Sequence, residues 1–260
     1  MPDVTQPLPL GSPVWVDLTS SDPVASRAFY IALFGWTAQT AEDDFGGYVT
    51  FSLDGLAVAA LVGEAASGEQ ADRWTTYFAV PDAHAGAAAV AAAGGTVAMP
   101  AMAVGRLGSL AIVADPVGAT FGLWQAGEFG GFGRLDEPGS VAWTELRTTG
   151  YPAAAAFYTA LLGWRLSAMS DSDEFRYSTA HLGTGGPIAG LMDVGRRPAA
   201  RSAWDTYFRV SDADDAVARA VALGARVREE PHDSPFGRIA WLSDVTGAPL
   251  VLLGPAPTSP

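Results

Sequence analysis

The sequence contains neither cysteine nor lysine among its 260 residues. Without cysteine the chain has no disulfides, thiolate nucleophiles or thiolate metal ligands. Because all 15 basic residues are arginines, a lysine Schiff base and a lysine-containing phosphate loop are excluded as well. These two absences leave a short list of possible chemistries.

Positive charge and long apolar runs are also scarce. The formal net charge of −13 repels phosphate backbones, and no basic stretch interleaved with aromatic residues offsets it, so we expect no nucleic acid partner. No segment reaches the roughly 18 apolar residues of a membrane span, and the opening residues lack the pattern of a signal peptide. We therefore expect a soluble, cytoplasmic protein without a membrane partner.

The chain repeats itself. The phrase "AFYIALFGWTA" at residues 28–38 returns as "AFYTALLGWRL" at residues 156–166, and "WTTYFAVPDA" from Trp74 returns as "WDTYFRVSDA" from Trp204. The offset between the copies stays between 128 and 130 residues over the whole repeat. Such a constant offset indicates two copies of one architecture that differ only in short loops.

The sequence of each half predicts two successive units. Each unit is a strand, a helix and three further strands. "PVWVDLTS" alternates apolar and polar residues as a strand does, and "DPVASRAFYIALFG" has an Asp cap, an early proline and a closing glycine. Short connections favour antiparallel pairing of the last three strands of each unit. We expect domains at residues 12–128 and 138–255, joined by a glycine-rich linker at 129–137.

These paired units, with "SD", "FY" and "GW" around the first helix and "DPVGA" before the last strand, resemble the vicinal oxygen chelate superfamily. That superfamily includes glyoxalase I, extradiol dioxygenases and bleomycin-binding resistance proteins. The resemblance covers nearly the whole chain, and it is closest to the tandem, glyoxalase-like members. It implies an α+β fold of two tandem glyoxalase-like domains, each with two βαβββ modules whose mainly antiparallel sheet forms a cup.

The resemblance also implies metal ligands at set points on the strands, which here are occupied by Trp15, Thr75 and Gly122 in the first half and by Trp143, Asp205 and Val251 in the second. Only Asp205 can bind a metal, whereas a metal site needs three or four protein ligands. His84, His181 and His232 are interpreted as surface or capping residues. We expect no metal and no other cofactor.

Strand alternation places residues two apart on the same face of a sheet. The residues predicted to face the cups and bind a ligand are Trp15, Tyr77, Trp143, Arg147, Tyr207 and Arg209. The carboxylates predicted beside them are Asp17, Glu145 and Asp205. A wall of this kind suits a flat or hydrophobic organic molecule. The alternative is that the aromatic residues are core, and that Glu145 pairs with Arg147 or Arg209, and Asp205 with Arg209.

Three classes of function stay open. A binding protein would sequester a small hydrophobic or aromatic antibiotic or metabolite, as the bleomycin-binding relatives do without a metal. A metal-independent isomerase, cyclase or lyase would use Asp17, Glu145 or Asp205 with a tyrosine hydroxyl as general acid or base. A protein-interaction module would need no small ligand. The sequence favours binding by a monomer or homodimer, with unequal halves because only the second half has Arg147 and Arg209.

Overall fold

The computed structural model describes residues 7–41, 47–63, 72–172 and 174–256. The first half has strands β1 (Pro13–Ser20), β2 (Thr37–Thr40), β3 (Val49–Leu53), β4 (Leu56–Gly63), β5 (Arg73–Ala79), β6 (Thr96–Val104), β7 (Gly108–Ala114) and β8 (Thr120–Ala126). The second half has strands β9 (Val141–Thr148), β10 (Arg165–Asp171), β11 (Arg176–His181), β12 (Pro187–Asp193), β13 (Ala203–Arg209), β14 (Arg226–Ser234), β15 (Gly237–Ser243) and β16 (Pro249–Leu253). The helices are α1 (Pro23–Phe34), α2 (Ala83–Ala92), α3 (Tyr151–Leu162) and α4 (Ala213–Ala222).

The strands form two eight-stranded sheets with the same order, β2-β3-β4-β1-β5-β8-β7-β6 in the first half and β10-β11-β12-β9-β13-β16-β15-β14 in the second. Within each sheet the three last strands of a module pair antiparallel, and the first strand of a module pairs parallel with its last. The two modules of a half meet at an antiparallel pair, β1 with β5 and β9 with β13. The predicted α+β fold of two tandem, mainly antiparallel domains is confirmed.

The first helix of each half begins and ends where its sequence indicates. Asp22 caps α1 by accepting a hydrogen bond from the Ala25 amide at 3.0 Å, and proline follows at the first helical position. Gly35 ends α1 with φ +72°, a left-handed conformation that favours glycine. The equivalent Gly163 ends α3 with φ +70°. The sequence pattern did not locate β2, a short, polar edge strand with mostly exposed side chains.

The hydrophobic core crosses the boundary between the halves. Phe208 of β13 packs against Phe34 and Trp36 of the first half, with ring centroids 5.2 and 5.8 Å apart. In the mirrored position Phe78 of β5 packs against Trp164, at 5.5 Å. Helix α1 also contacts α4, and α2 contacts α3. Each half therefore completes the core of the other.

Buried hydrogen bonds join the halves at two equivalent places. The Trp74 indole N–H donates to the Tyr30 hydroxyl at 3.2 Å, and this hydroxyl donates to Asp244 Oδ2 of the second half at 3.0 Å. The reciprocal contacts are made by Trp204, Tyr158 and Asp115. None of the helices in the described part of the chain has the length and apolar character needed to cross a membrane.

Candidate functional site

The face of each sheet that carries the tryptophan, acid and tyrosine predicted from the sequence will be called a cup. Cup 1 carries Trp15, Asp17 and Tyr77 on strands β1 and β5, and Trp15 pairs directly with Tyr77. Cup 2 carries Trp143, Glu145 and Tyr207 on strands β9 and β13, where Trp143 pairs with Tyr207 and Glu145 with Asp205. The structure therefore brings these residues together in each half as strand alternation predicts.

A network of four polar side chains lies in cup 1. The Trp15 indole N–H donates to the Tyr48 hydroxyl at 2.9 Å, and the Tyr77 hydroxyl donates to Asp17 Oδ2 at 2.8 Å. Trp15, Asp17 and Tyr77 are each about 5% exposed. The network keeps the buried carboxyl and the buried ring nitrogen hydrogen-bonded, as their burial requires.

Cup 2 contains the equivalent side chains. The Tyr207 hydroxyl donates to Glu145 Oε1 at 3.0 Å, and the Tyr177 hydroxyl, the Trp143 indole nitrogen and Glu145 Oε2 lie together beside Gly190. Tyr48 and Tyr177 were not predicted as site residues. They lie 129 residues apart in the sequence, within the offset of the repeat, and this correspondence was the signal that could have found them.

Burial raises the pKa of the carboxyls of Asp17 and Glu145. Loss of hydration raises the pKa of Asp17 to about 7, although the hydrogen bond from Tyr77 acts in the opposite direction. Loss of hydration and the neighbouring Asp205 raise the pKa of Glu145 to about 7. Both carboxyls therefore hold a proton for a large fraction of the time at neutral pH.

Cup 1 is filled by the chain. The ring of Phe129 packs edge-on against Trp15, with centroids 4.8 Å apart at 87°, and Phe132 packs beside it at 5.5 Å. The Tyr77 ring lies over Gly122, where a Cβ atom would be 2.0 Å from Tyr77 Cδ1. Trp15, Asp17 and Tyr77 are thus packed inside the protein. The structure also has a large cavity, described next, and none of these three residues lines it.

Cup 2 is open and holds that cavity, about 710 Å³ in volume. Trp143 is half-buried on its wall. The apolar side chains that line the cavity include Phe132, Phe175, Ile188, Met192, Phe236 and Trp241. The polar side chains include Glu145, Arg147, Tyr177, Tyr207, Arg209 and His232. The two cups therefore differ, as the sequence indicates. They differ in the cavity as well as in the two arginines, Arg147 and Arg209, of cup 2.

Both arginines of cup 2 are held by carboxylates. Arg147 makes two contacts with Asp205, one of them between Nη2 and Oδ1 at 2.9 Å. Arg209 pairs with Asp136, with Nε and Oδ1 2.9 Å apart. The suggested pairings of Glu145 with Arg147 or Arg209, and of Asp205 with Arg209, are wrong, because Arg147 pairs with Asp205 and Arg209 pairs with Asp136 of the segment before β9. These ion pairs leave Glu145 as the carboxyl that faces the cavity with tyrosine partners.

His232, which the sequence indicates to be a surface or capping residue, is exposed in the structure. It lies on β14 and lines the cavity, with its ring stacked on Trp241 at 5.7 Å and 11° between the planes. His84 is exposed on α2, and His181 ends β11, where Nε2 lies 2.9 Å from the Thr179 hydroxyl. His232 therefore adds an aromatic surface to the cavity wall.

Comparison with known proteins agrees with the fold. A family model described as the Glyoxalase/Bleomycin resistance protein/Dioxygenase superfamily matches residues 140–251, and a glyoxalase-like domain model matches residues 14–124. The chain is 42% identical over 258 residues to the "Anthracycline biosynthesis protein DnrV" of Streptomyces peucetius, covering 92% of this chain and 91% of that protein. The chain belongs to the glyoxalase/bleomycin resistance protein/dioxygenase superfamily.

Other members are similar over most of their length. The "Putative glyoxylase CFP32" of Mycobacterium bovis is 38% identical over 252 residues, covering 95% of this chain and 96% of that protein. Among solved structures, the Mn(II)-bound glyoxalase from Novosphingobium aromaticivorans has a TM-score of 0.66 at 16% identity, covering 94% of this chain and 82% of that one. The halotolerant catechol dioxygenase BphC has a TM-score of 0.62 at 15% identity, covering 94% and 87%. These structures show the shared fold.

This superfamily member does not fit the metal of its metal-dependent relatives. At the expected positions in cup 2, Trp143 carries an indole and Val251 a hydrocarbon side chain, and both oxygens of Asp205 contact Arg147. The described residues contain no group of three potential ligands close enough to hold a metal ion. The residues of cup 2 are suited instead to bind an organic molecule through aromatic and hydrogen-bonding contacts.

Proposed function

We propose that cup 2 binds a small, hydrophobic, aromatic compound without a metal, in a cytoplasmic protein that acts as a monomer or homodimer. The observation that carries the proposal is the cavity of about 710 Å³ beside the half-buried Trp143. Its volume lies within the roughly 300–1,000 Å³ of small-molecule sites, and its wall combines aromatic residues with a few polar groups, as such sites do. A protein-interaction module would not require a cavity of this size.

The relatives support a polycyclic ligand. Two curated relatives are named as anthracycline biosynthesis proteins, from Streptomyces peucetius and Streptomyces sp. strain C5, and anthracyclines contain fused aromatic rings. A planar, fused ring system can stack on aromatic side chains such as Trp143 and Trp241, which line the cavity. We therefore propose a polycyclic aromatic compound of secondary metabolism as the ligand class, either sequestered or presented to another enzyme.

A metal-independent isomerase, cyclase or lyase is the second candidate function. Glu145 favours it, because a carboxyl with a pKa of about 7 beside a cavity can act as general acid or base. However, Asp17 in the filled cup 1 also has a pKa of about 7, and it accepts a hydrogen bond from Tyr77, the counterpart of Tyr207. The raised pKa thus follows from burial in both cups, and only the cavity is specific to cup 2. This comparison favours binding over catalysis.

The proposal is tested by titrating tryptophan fluorescence with 1,4-dihydroxyanthraquinone, a planar tricyclic phenol. Trp143→Ala should weaken binding on the order of 30-fold, about 2 kcal/mol, because it removes an aromatic wall residue. Trp15→Ala is the matched control in cup 1, and it should lower stability while the affinity stays within a few-fold. If Trp143→Ala binds as tightly as the wild type, the ligand does not use cup 2.

Glu145→Gln separates the two candidate functions. The glutamine side chain can still accept the Tyr207 hydrogen bond, so a binding protein should keep its affinity and leave the compound chemically unchanged. For an enzyme, any conversion of the bound compound should disappear in this variant while binding persists. Mass spectrometry of the compound before and after incubation measures the outcome.

A further inference from the structure

The segment between the two sheets, residues 127–139, runs across one end of cup 1. The Gly127 amide donates to the Leu107 carbonyl at 2.8 Å, at the hairpin that joins β6 and β7. The Phe132 amide then donates to the Val14 carbonyl of β1 at 2.9 Å, and the Gly133 amide to the Ala57 carbonyl of β4 at 2.7 Å. The segment therefore crosses the sheet from the outer hairpin of one module to that of the other.

Ion pairs at both edges of the sheet hold this segment in place. Glu128 pairs with Arg106 at the β6–β7 hairpin. Arg134 pairs with Asp54 at the β3–β4 hairpin, with Nη1 and Oδ2 3.0 Å apart. The segment is attached to both edges of the cup before it enters the second half.

Two phenylalanines of the segment occupy the cup between these attachments. Phe129 packs edge-on against Trp15 and also lies 6.0 Å from Trp124, and the Trp124 indole N–H donates to the Phe129 carbonyl at 3.0 Å. Phe132 is 6% exposed and packs against Trp15 with ring centroids 5.5 Å apart. The ring of Trp15 is therefore covered by aromatic side chains from a segment that belongs to neither sheet.

The backbone at Gly131 permits this close approach. Its φ of +110° lies outside the range that other residues adopt easily. A Cβ atom there would lie 2.2 Å from the Val14 carbonyl oxygen. The turn that brings Phe129 and Phe132 to Trp15 therefore requires glycine at this position.

The register of the two sheets makes Trp143 the counterpart of Trp15, with the same tyrosine and acid beside it. In cup 1 the space next to this tryptophan holds an aromatic ring, and in cup 2 it is part of the cavity. We propose that cup 1 is a second aromatic-binding site that the chain itself occupies, with Phe129 in the position that a ligand ring takes beside Trp143 in cup 2. The class of compound in this proposal rests on the proposed function.

The experiment removes the Phe129 ring and counts the sites. The variant Phe129→Ala is titrated with 2-naphthol by isothermal titration calorimetry, and the stoichiometry is checked by native mass spectrometry. The wild type should bind one molecule per chain, and the variant two, because an apolar cavity opened inside a protein binds small aromatic molecules. A crystal of the variant soaked with 2-naphthol should show the added ring against Trp15.

Phe129→Leu is the matched control, since leucine keeps the cup filled and should give one site. Phe129→Ala is expected to fold, because Phe129 is only half-buried, and Phe132 is left in place because it also lines the cavity of cup 2. A folded alanine variant that binds no more 2-naphthol than the wild type overturns the inference and leaves the proposed function standing. A wild type that binds none, with one molecule beside Trp15 in the variant, contradicts the proposed function and supports the inference.

Discussion

At the scale of single residues, the two cups differ in the length of the carboxyl side chain that lies beside the equivalent tyrosines. Asp17 lies opposite Ala60 in cup 1, and the longer Glu145 lies opposite Gly190 in cup 2. A Cβ atom on Gly190 would lie 2.5 Å from the Tyr177 hydroxyl and 3.1 Å from Glu145 Oε2. The additional methylene of glutamate therefore needs the space that glycine leaves.

This arrangement gives a test by double-mutant cycle. Gly190→Ala should lower the free energy of unfolding by about 1–3 kcal/mol, because its methyl group displaces Tyr177 and Glu145. Adding Glu145→Asp should recover part of this loss, since the pair then matches Asp17 with Ala60, and the coupling should be about 1 kcal/mol. Chemical denaturation of the four proteins measures it. Strict additivity of the two substitutions would contradict the compensation.

The raised pKa values predict how stability changes with pH. In the folded protein Asp17 and Glu145 hold their protons up to about pH 7, whereas the ordinary pKa values of these carboxyls are 3.8 and 4.5. Between these limits the folded state binds more protons than the unfolded chain, so stability from these groups is fully present at low pH and is lost as the pH rises to 7. The full shift of the pKa is worth on the order of 3–4 kcal/mol per carboxyl.

Asp17→Asn or Glu145→Gln should therefore reduce the fall in Tm between pH 5 and pH 8. Each amide keeps an acceptor for its tyrosine but cannot ionise. Glu230→Gln, at an exposed position on β14, is the control and should leave the difference unchanged. If all three variants follow the wild-type profile, these two carboxyls do not titrate with raised pKa values.

At the scale of elements, the segment at residues 127–139 shows where sequence patterns stop being informative. Its glycines and proline predict a linker, and most of its residues belong to no regular element in the structure. Yet Phe129 and Phe132 decide that cup 1 is filled. Strand alternation placed Trp15 on the cup face correctly, but no periodicity shows which residue of an irregular segment will cover it.

Hydrogen exchange should reveal this packing. The amides of Gly127, Phe129, Phe132 and Gly133 all donate to backbone carbonyls of the first half, so they should exchange far more slowly than amides of an unstructured linker. The variant Phe129→Ala/Phe132→Ala should speed this exchange. Exchange in the wild type at the rate of an unfolded peptide would show that the segment does not stay in the cup.

The short strand β2 was missed for a related reason. Thr37–Thr40 is an edge strand with exposed polar side chains, so it has no apolar face to produce alternation. Elements such as β1 and α1 were predictable because apolar side chains recur in them at the spacing of a strand or a helix and are buried. The second copy of each pattern also allowed every ambiguous segment to be compared with its counterpart.

At the scale of the whole molecule, the halves are two domains by sheet topology but share their cores. Tyr30 of the first half donates to Asp244 of the second, and Tyr158 of the second donates to Asp115 of the first. The repeat predicted two similar domains. It did not show these contacts between the halves, because nothing in a repeated sequence tells which copy supplies each partner.

Shared cores predict one cooperative unfolding transition. Calorimetry should show a single peak whose calorimetric and van't Hoff enthalpies agree, rather than one peak for each half. Tyr30→Phe should shift this single peak to lower temperature, because it removes the hydroxyl that donates to Asp244 Oδ2 and accepts from the buried Trp74 indole, at a cost of about 1–3 kcal/mol. Two resolved transitions would contradict the account of a core that both halves complete.

The central claim, that cup 2 binds an aromatic compound while the chain fills cup 1, is tested most directly by a crystal structure of the wild type soaked with 1,4-dihydroxyanthraquinone. The account predicts density for one flat molecule in the cavity, in contact with Trp143 and Tyr207, with Phe129 still in place against Trp15. A fully soaked crystal with no compound in the cavity, or with the compound bound only elsewhere on the protein, would contradict it.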